Sequence, residues 1–466
     1  MIRREEAFQV MTVRGLAGPR GTVRARVRVR AAVGGKTLRT ALLCLLFLVC
    51  PFGESMAAFE GEVGVEGTWS DNLYLTASSE DDFVAKPFGY VEGPLGKNFG
   101  LRYGIDGYLY GTNSELNALW QRAGVWHRSG VGGKVGLEAG LGYGGILHVS
   151  DSKTLDHHQV GGTVDLEFRP AERLLIAPRI EGIWRIYPNT DDLDYIEAIG
   201  SLLANRSFET QTTLRLYGTI YFRRFLQSVS ETEEIEAVDS QTEGAALSSS
   251  AVSGAANPSG LGAGGRGNGA VRRGWGPGNG MGPGGPGGPP PAVTIPGNLE
   301  SESAGQFLIA GRVAQSLGST AGVFVEGTYR TNFLDPPRFA EGTIPGVDRE
   351  FFDDHYGYEG PGGRMQFSLL FPRGVRMVLS GLIEDRKYAG REALDLDGNP
   401  KGSSGQDRRD KRYEIAIRGE FSRDFELAFP AGVSAQAGYV RVWNESNDDW
   451  FDASENRFFA SATLLW

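Results

Sequence analysis

Five histidines, His127, His148, His157, His158 and His355, are the first places to look for chemistry. His157 and His158 are adjacent and lie close to Asp151 and Asp156, a set of imidazoles and carboxylates of the kind that holds a divalent ion. On an extended chain neighbouring side chains leave on opposite faces, so the two imidazoles are poorly placed to share one ion. His148, Ser150 and Asp151 have the residue types of a base, a hydroxyl nucleophile and an orienting carboxylate. No third partner is brought to them by the sequence, and polar residues at the rim of a sheet account for the same letters. The glycine runs lack a following Lys-Ser/Thr and a helix, so they are no phosphate loop. The expectation is a protein without catalytic residues, metal or cofactor.

Charges at alternate positions say more. Arg102, Asp106 and Tyr108 share one parity, as do Arg179, Glu181 and Arg185. The same holds for Arg215, Tyr217 and Arg223, for Glu326 and Arg330, and for Arg412, Glu414, Arg418 and Glu420. Opposite charges on neighbouring strands can form ladders, and such ladders on the inside of a barrel would line a pore and tune what passes. Ladders that only hold the wall fit equally well. Tyr108, Tyr110, Tyr217 and Tyr221 fall on the same polar faces, where rings could stack on sugars, although tyrosines are more commonly girdle residues at a membrane interface.

The elements that must carry these residues are strands. AFEGEVGVEGTWS sets Phe59, Val63, Val65 and Trp69 against Glu60, Glu62, Glu66 and Thr68. The period of two recurs along the chain and reaches its last residues, where Phe458, Ala460, Ala462, Leu464 and Trp466 share an apolar face. In a soluble sheet such a terminal edge would aggregate; as the last strand of a closed barrel it is accounted for. Phe458, Leu464 and Trp466 are read as a membrane-insertion signal.

The N-terminal part differs. Ten basic residues precede an apolar run from Ala41 to Phe52, with small residues at Ser55 and Ala57. This describes a secretory signal peptide cut after Ala57, too short to be a spanning helix of roughly 20 residues. Of the 47 Lys and Arg ten lie before Ala58, and of the 57 Asp and Glu three, leaving 37 against 54 and a net charge of −17. That balance argues against a nucleic-acid partner. Both cysteines, Cys44 and Cys50, fall in the segment to be removed, which leaves no thiol for a disulfide or nucleophile.

The connections alternate. Short turns are expected near Lys97, Gly130, Ala171, Asn205, Ser319 and Arg373, and long polar loops at the opposite end. The expected fold is all-β, a transmembrane antiparallel barrel of about 16 strands over residues 58–466, with short periplasmic turns and long extracellular loops. Residues 228–303 begin acidic and become Gly/Pro-rich, a composition that cannot bury enough apolar surface to offset its ordering entropy. They are read as a disordered extracellular insert between strands nine and ten.

TWSDNLYLTASSEDDF contains Ser70, Asp71, Asn72, Leu73, Tyr74, Leu75 and Thr76. This S-D-N, aliphatic, aromatic, L-T run resembles the opening of outer-membrane barrel proteins associated with exopolysaccharide export. The resemblance covers about fifty residues and implies a porin-like barrel that works with a polysaccharide secretion machine. The expected partners are outer-membrane lipid, the barrel-assembly machinery, polysaccharide and periplasmic export components. A structural or adhesive barrel with a plugged lumen and partner-binding loops is the alternative.

Overall fold

Residues of alternating character can satisfy every backbone group away from water only by pairing each strand on both sides, which requires the sheet to close. The computed structural model describes residues 14–16, 24–26, 59–72, 81–130, 132–149, 156–189, 194–226, 303–334, 357–396, 399–401, 405–426 and 430–466. The chain divides into two units, Met1–Gly53 and Glu54–Trp466. In the first, β1 (Arg14–Leu16) pairs antiparallel with β2 (Arg24–Arg26). The apolar run, the cleavage position at Ala57 and the 228–303 insert, apart from Ser303, lie outside the described residues.

The second unit is a closed barrel of sixteen antiparallel strands. They are β3 (Glu60–Ser70), β4 (Asp82–Pro94), β5 (Phe99–Tyr110), β6 (Ala118–Ser129), β7 (Val135–His148), β8 (His157–Ala171), β9 (Leu174–Ile186) and β10 (Tyr195–Ser207). The others are β11 (Thr212–Phe225), β12 (Ser303–Leu317), β13 (Ala321–Leu334), β14 (Gly360–Leu370), β15 (Val375–Glu392), β16 (Asp407–Glu426), β17 (Pro430–Ser446) and β18 (Ala453–Leu465). Each strand pairs with the next, and β18 pairs with β3 to close the sheet. No described helix is long and apolar enough to cross a membrane.

Among the described residues one end of the barrel has turns only, at 95–98, 172–173, 208–211, 318–320 and 371–374, and at another the Gly133 N–H bonds the Gly130 carbonyl at 3.0 Å. The turn expected at Asn205 sits three residues later: Asn205 and Ser207 still pair with Arg215 and Thr213, and the chain reverses through Gln211 at φ 62°. At the other end the lengths vary, and the connections at 111–117 and 447–452 are short as well.

The two faces differ sharply. Outside, Ile180 is 68% exposed and Val325 56%; inside, Tyr195 and Arg223 are fully buried. Apolar side chains turned outward around a closed sheet need a hydrocarbon environment, and the molecule is a transmembrane β-barrel. At the turn end Gly61 and Trp466 exchange backbone hydrogen bonds of 3.0 Å each. The Trp466 ring lies so close that a Cβ on Gly61 would stand 2.3 Å from it, so any larger residue there must displace the ring. At the opposite end Ser70, Asp71 and Asn72 bind Glu455, Asn456 and Ser454 respectively. The S-D-N run is a clasp between first and last barrel strands; Leu73–Thr76 lie outside the described residues.

Candidate functional site

The site is the inner wall, and its charges are arranged in local clusters. On β4–β7, Arg128 reaches Glu138 at 3.0 Å and Glu92 at 3.0 Å, while Arg102 lies 3.8 Å from Glu138. Glu92 is on β4, which does not pair with β6, so this contact crosses the concave side of the sheet. Asp106 is held by Arg122 at 2.6 Å and Lys86 at 3.8 Å. Tyr90 donates to Glu92.

Farther round, Arg179 bonds Glu181 at 2.6 Å and approaches Asp165 at 4.0 Å. Arg185 donates to Gln159 at 3.1 Å and to the Tyr187 hydroxyl at 3.4 Å. Arg223 lies 3.6 Å from Glu197 and stacks on Tyr195 at 4.3 Å. On β12 and β13, Arg312 binds Glu326 at 2.6 Å. Glu420 takes Arg418 at 2.6 Å and Arg376 at 3.4 Å, and Glu384 takes Arg386 at 2.6 Å.

The residues singled out from the sequence therefore fall into separate groups. Arg102, Asp106 and Tyr108 lie on β5; Arg179, Glu181 and Arg185 on β9; Arg215, Tyr217 and Arg223 on β11. Glu326 and Arg330 are on β13, and Arg412, Glu414, Arg418 and Glu420 on β16. All have the parity opposite to the exposed apolar residues of their strands, except Leu334 at the end of β13, where the register shifts. Phe458, 50% exposed, and Leu464, 47% exposed, face outward, and Phe458 stacks against Trp69 and Tyr439.

Of the four tyrosines singled out, Tyr108, Tyr110 and Tyr221 are buried and do not present open ring faces, whereas Tyr217 is half-buried. Tyr108 and Tyr110 are buried in an apolar cluster with Val84, Leu116, Ala118, Trp120 and Ile146. Leu116 comes from the 111–117 connection, so this segment packs onto the inner wall. Asp82 holds it, accepting the N–H groups of Gly111 (3.0 Å), Thr112 (2.9 Å) and Asn113 (3.3 Å) and the Asn113 amide at 3.0 Å. Tyr221 packs similarly against Ala304 and Leu308. Nothing local in the sequence distinguishes a tyrosine that packs inside from one that stands free.

Sequence reasoning also missed the buried pairs at the loop end. Arg408 and Asp410, each about 1% exposed, bond at 2.9 and 2.5 Å. Arg457 and Glu455 do the same at 2.9 and 2.6 Å. Their signal was an i, i+2 charge pair, D-R-R-D and E-N-R, near a strand end.

The described histidines are dispersed; His355 lies outside the described residues. His148 Nδ1 is 2.9 Å from Asp156, which also accepts the His148 N–H at 2.6 Å; Ser150 and Asp151 lie outside the described residues. His157 packs against Tyr187 inside, whereas His158 meets the Tyr143 hydroxyl at 2.7 Å outside. Among the described residues no group of three or more His, Cys, Asp or Glu is placed to hold a metal.

A closed sheet of sixteen strands, charged within and apolar without, decides the setting. This is a barrel of the cell outer membrane. No family model and no curated protein matches the sequence. Solved structures match over most of the chain. One is a bacterial polysaccharide outer membrane secretin, at 9% identity over 87% of this chain and 97% of that one, with a TM-score of 0.42. Another is OccAB3 of Acinetobacter baumannii, at 9% over 88% and 99%, TM-score 0.45. The outer membrane protein OprD from Pseudomonas aeruginosa matches at 10% over 88% and 93%, TM-score 0.40. Each is a likeness of chain path at low identity.

Proposed function

We propose that the barrel is a porin-like channel giving hydrophilic solutes a passive route across the outer membrane, and that its physiological solute is a polysaccharide in exopolysaccharide export. One observation carries the channel: polar and charged side chains line the inner wall on every side of the closed sheet, with Arg376–Glu420 toward the turn end and Arg408–Asp410 toward the loop end. A wall of this kind has no role against lipid and favours water inside. The S-D-N resemblance supports the polysaccharide. The protein makes and breaks no bond on this reading; outer-membrane lipid surrounds it, the assembly machinery recognises the end bearing Phe458, Leu464 and Trp466, and periplasmic export components supply the polymer.

The test is conductance of the purified full chain in planar bilayers, with steady steps that scale with KCl concentration as the expected result. Absence of any steady current would end the channel reading. For the polymer, deletion of the gene should abolish surface polysaccharide while leaving its synthesis intact; unchanged surface polymer removes that part alone. The apolar cluster built on Leu116 favours a second reading, a barrel narrowed or closed from within and used as a scaffold, and the same current measurement separates the two.

A further inference from the structure

We propose that the outer face of β13–β17 carries a binding site for lipopolysaccharide, the phosphorylated acyl lipid of the outer leaflet. One acyl chain lies in a groove with a glycine floor, and a phosphate meets Arg441. The site is on the lipid side of the wall, so it stands whether or not the barrel conducts.

Two rows of outward residues make the groove. In one, Gly327, Gly363, Ile383, Tyr413 and Trp443 stand opposite one another in register from β13 to β17. In the next, Val325, Met365, Gly381, Ile415 and Arg441 do the same. The absent side chains of Gly363 and Gly381 leave a depression walled by Met365, Ile383, Ile415, Tyr413 and Trp443. Its volume is about 680 Å³. Sites for small molecules span roughly 300–1,000 Å³.

Neither crowding nor backbone conformation calls for glycine at these positions. A Cβ on Gly363 would meet Ile383 at 3.5 Å and one on Gly381 the Glu414 carbonyl at 3.7 Å, both ordinary contacts. A Cβ on Gly327 would meet nothing within 4 Å, and none of the three glycines has a positive φ. Gly61 and Gly305 differ, because the rings of Trp466 and Phe333 fill the space above them. Glycine inside a strand weakens it and often marks the close approach of a ligand. Here the space is open toward lipid, and a hydrocarbon chain fits its apolar walls.

Arg441 sets the polar end. It stands opposite the exposed Ile415 and therefore shares its outward face, toward the loop end of β17. Its guanidinium donates to Ser454 Oγ at 3.1 Å and lies 5.4 Å from the Trp443 ring. Its partners among the described residues are thus a hydroxyl and a ring, not a carboxylate. The other outward cations of these strands toward the loop end are answered. Lys411 stands opposite Glu445, Arg409 bonds Asp385 at 2.6 Å, and Lys387 stands opposite Glu359. Asp71, in the row of Arg441, is bonded to Asn456.

Tyr413, Tyr439 and Trp443 around Arg441 form an aromatic girdle, which marks the level of lipid headgroups. Long loops face the outside, so the leaflet is the outer one. A charge on the lipid face is unfavourable unless an anion meets it, and a guanidinium fork matches phosphate. A phosphate of lipid A, the acylated diglucosamine that anchors lipopolysaccharide, supplies that anion while its acyl chain occupies the groove below.

The experiment titrates the full chain, purified in detergent, with lipid A, dephosphorylated lipid A and phosphatidylglycerol, read by native mass spectrometry. One molecule of lipid A should be retained, about tenfold more tightly than its dephosphorylated form and more tightly than phosphatidylglycerol. Arg441→Gln should abolish the preference for the phosphorylated form. Gly363→Leu/Gly381→Leu, which fills the groove, should weaken both forms of lipid A several-fold, with folding of each variant checked by heat-dependent mobility on gels. Equal retention of lipid A and its dephosphorylated form by the parent protein overturns the proposal without any variant. Tighter binding of phosphatidylglycerol overturns the choice of lipid, and unchanged binding in folded variants overturns the site. A dimer that the groove variant dissociates makes a second copy of the chain the occupant and overturns the lipid.

Discussion

Asp71 accepts both the backbone N–H of Asn456, at 2.6 Å, and its side-chain amide, joining positions 385 residues apart in the chain. Asn456 in turn accepts the Tyr439 hydroxyl, at 2.5 Å, and its carbonyl receives the Asp71 N–H at 3.1 Å. The seam between β18 and β3 is thus fixed at its loop end by side chains as well as by the ladder. Asp71→Ala leaves the Asn456 donors without their acceptor, a loss of about 1–3 kcal/mol. The folded form should lose its resistance to heating in SDS at a lower temperature, with Asp71→Asn intermediate.

The turn end of the same seam depends on Gly61. A methyl group there would meet the Trp466 ring at 2.3 Å. Gly61→Ala should lower both folded yield in the outer membrane and resistance to urea. Trp466→Ala removes the clash, so the double variant should be more stable than the sum of the single effects predicts, a coupling read from a double-mutant cycle.

Arg408 and Asp410 are almost wholly buried, with Ser446 and Asn444 also donating to Asp410 and Phe451 stacked on Arg408 at 3.4 Å. Removing one member of such a pair leaves an uncompensated charge, costing about 3–5 kcal/mol. Asp410→Ala should show this in urea unfolding from detergent micelles. Arg408→Met/Asp410→Ala should recover part of the loss.

Asp448, in the connection between β17 and β18, is 1% exposed, and burial pushes its carboxyl above the usual range despite Arg408 and Arg391 nearby. A carboxyl whose folded pKa is raised binds its proton more readily in the folded state. Its ionised form therefore weakens the fold at neutral pH, and that penalty disappears as pH falls through the folded pKa. Asp448→Asn keeps the acceptor for the Trp450 N–H. It should be more stable than the parent at pH 8, with the difference vanishing below about pH 4, near the unfolded carboxyl pKa.

The 111–117 connection depends on Asp82 for its position. Asp82→Ala should free Leu116 from the inner cluster and raise single-channel current or its noise. An unchanged current would place this segment outside the conducting path.

The period of two was enough to establish strands, their inner and outer faces and an even count near sixteen. It is a local property: each residue's side is set by its neighbour, and lipid outside with water inside enforces it along every strand. The parity of Arg102, Glu181, Arg223 and Arg412 was legible for that reason. The limits of a strand were less so, because Asn205 and Ser207 have turn-forming side chains yet remain paired with β11.

What the sequence by itself could not determine was which inner residues meet. Register across each pair, the closure of β18 on β3 and the inward packing of Leu116 decide that Arg128 reaches Glu92, that Arg215 faces Arg312, and that Tyr108 is covered rather than open. These contacts join segments far apart in the chain, so they depend on the closed shape and not on any local pattern. The clasp shows the same division. Its residues, Ser70 to Asn72, were visible as a motif, but their partners at 454–456 are defined only when the two ends of the sheet come together.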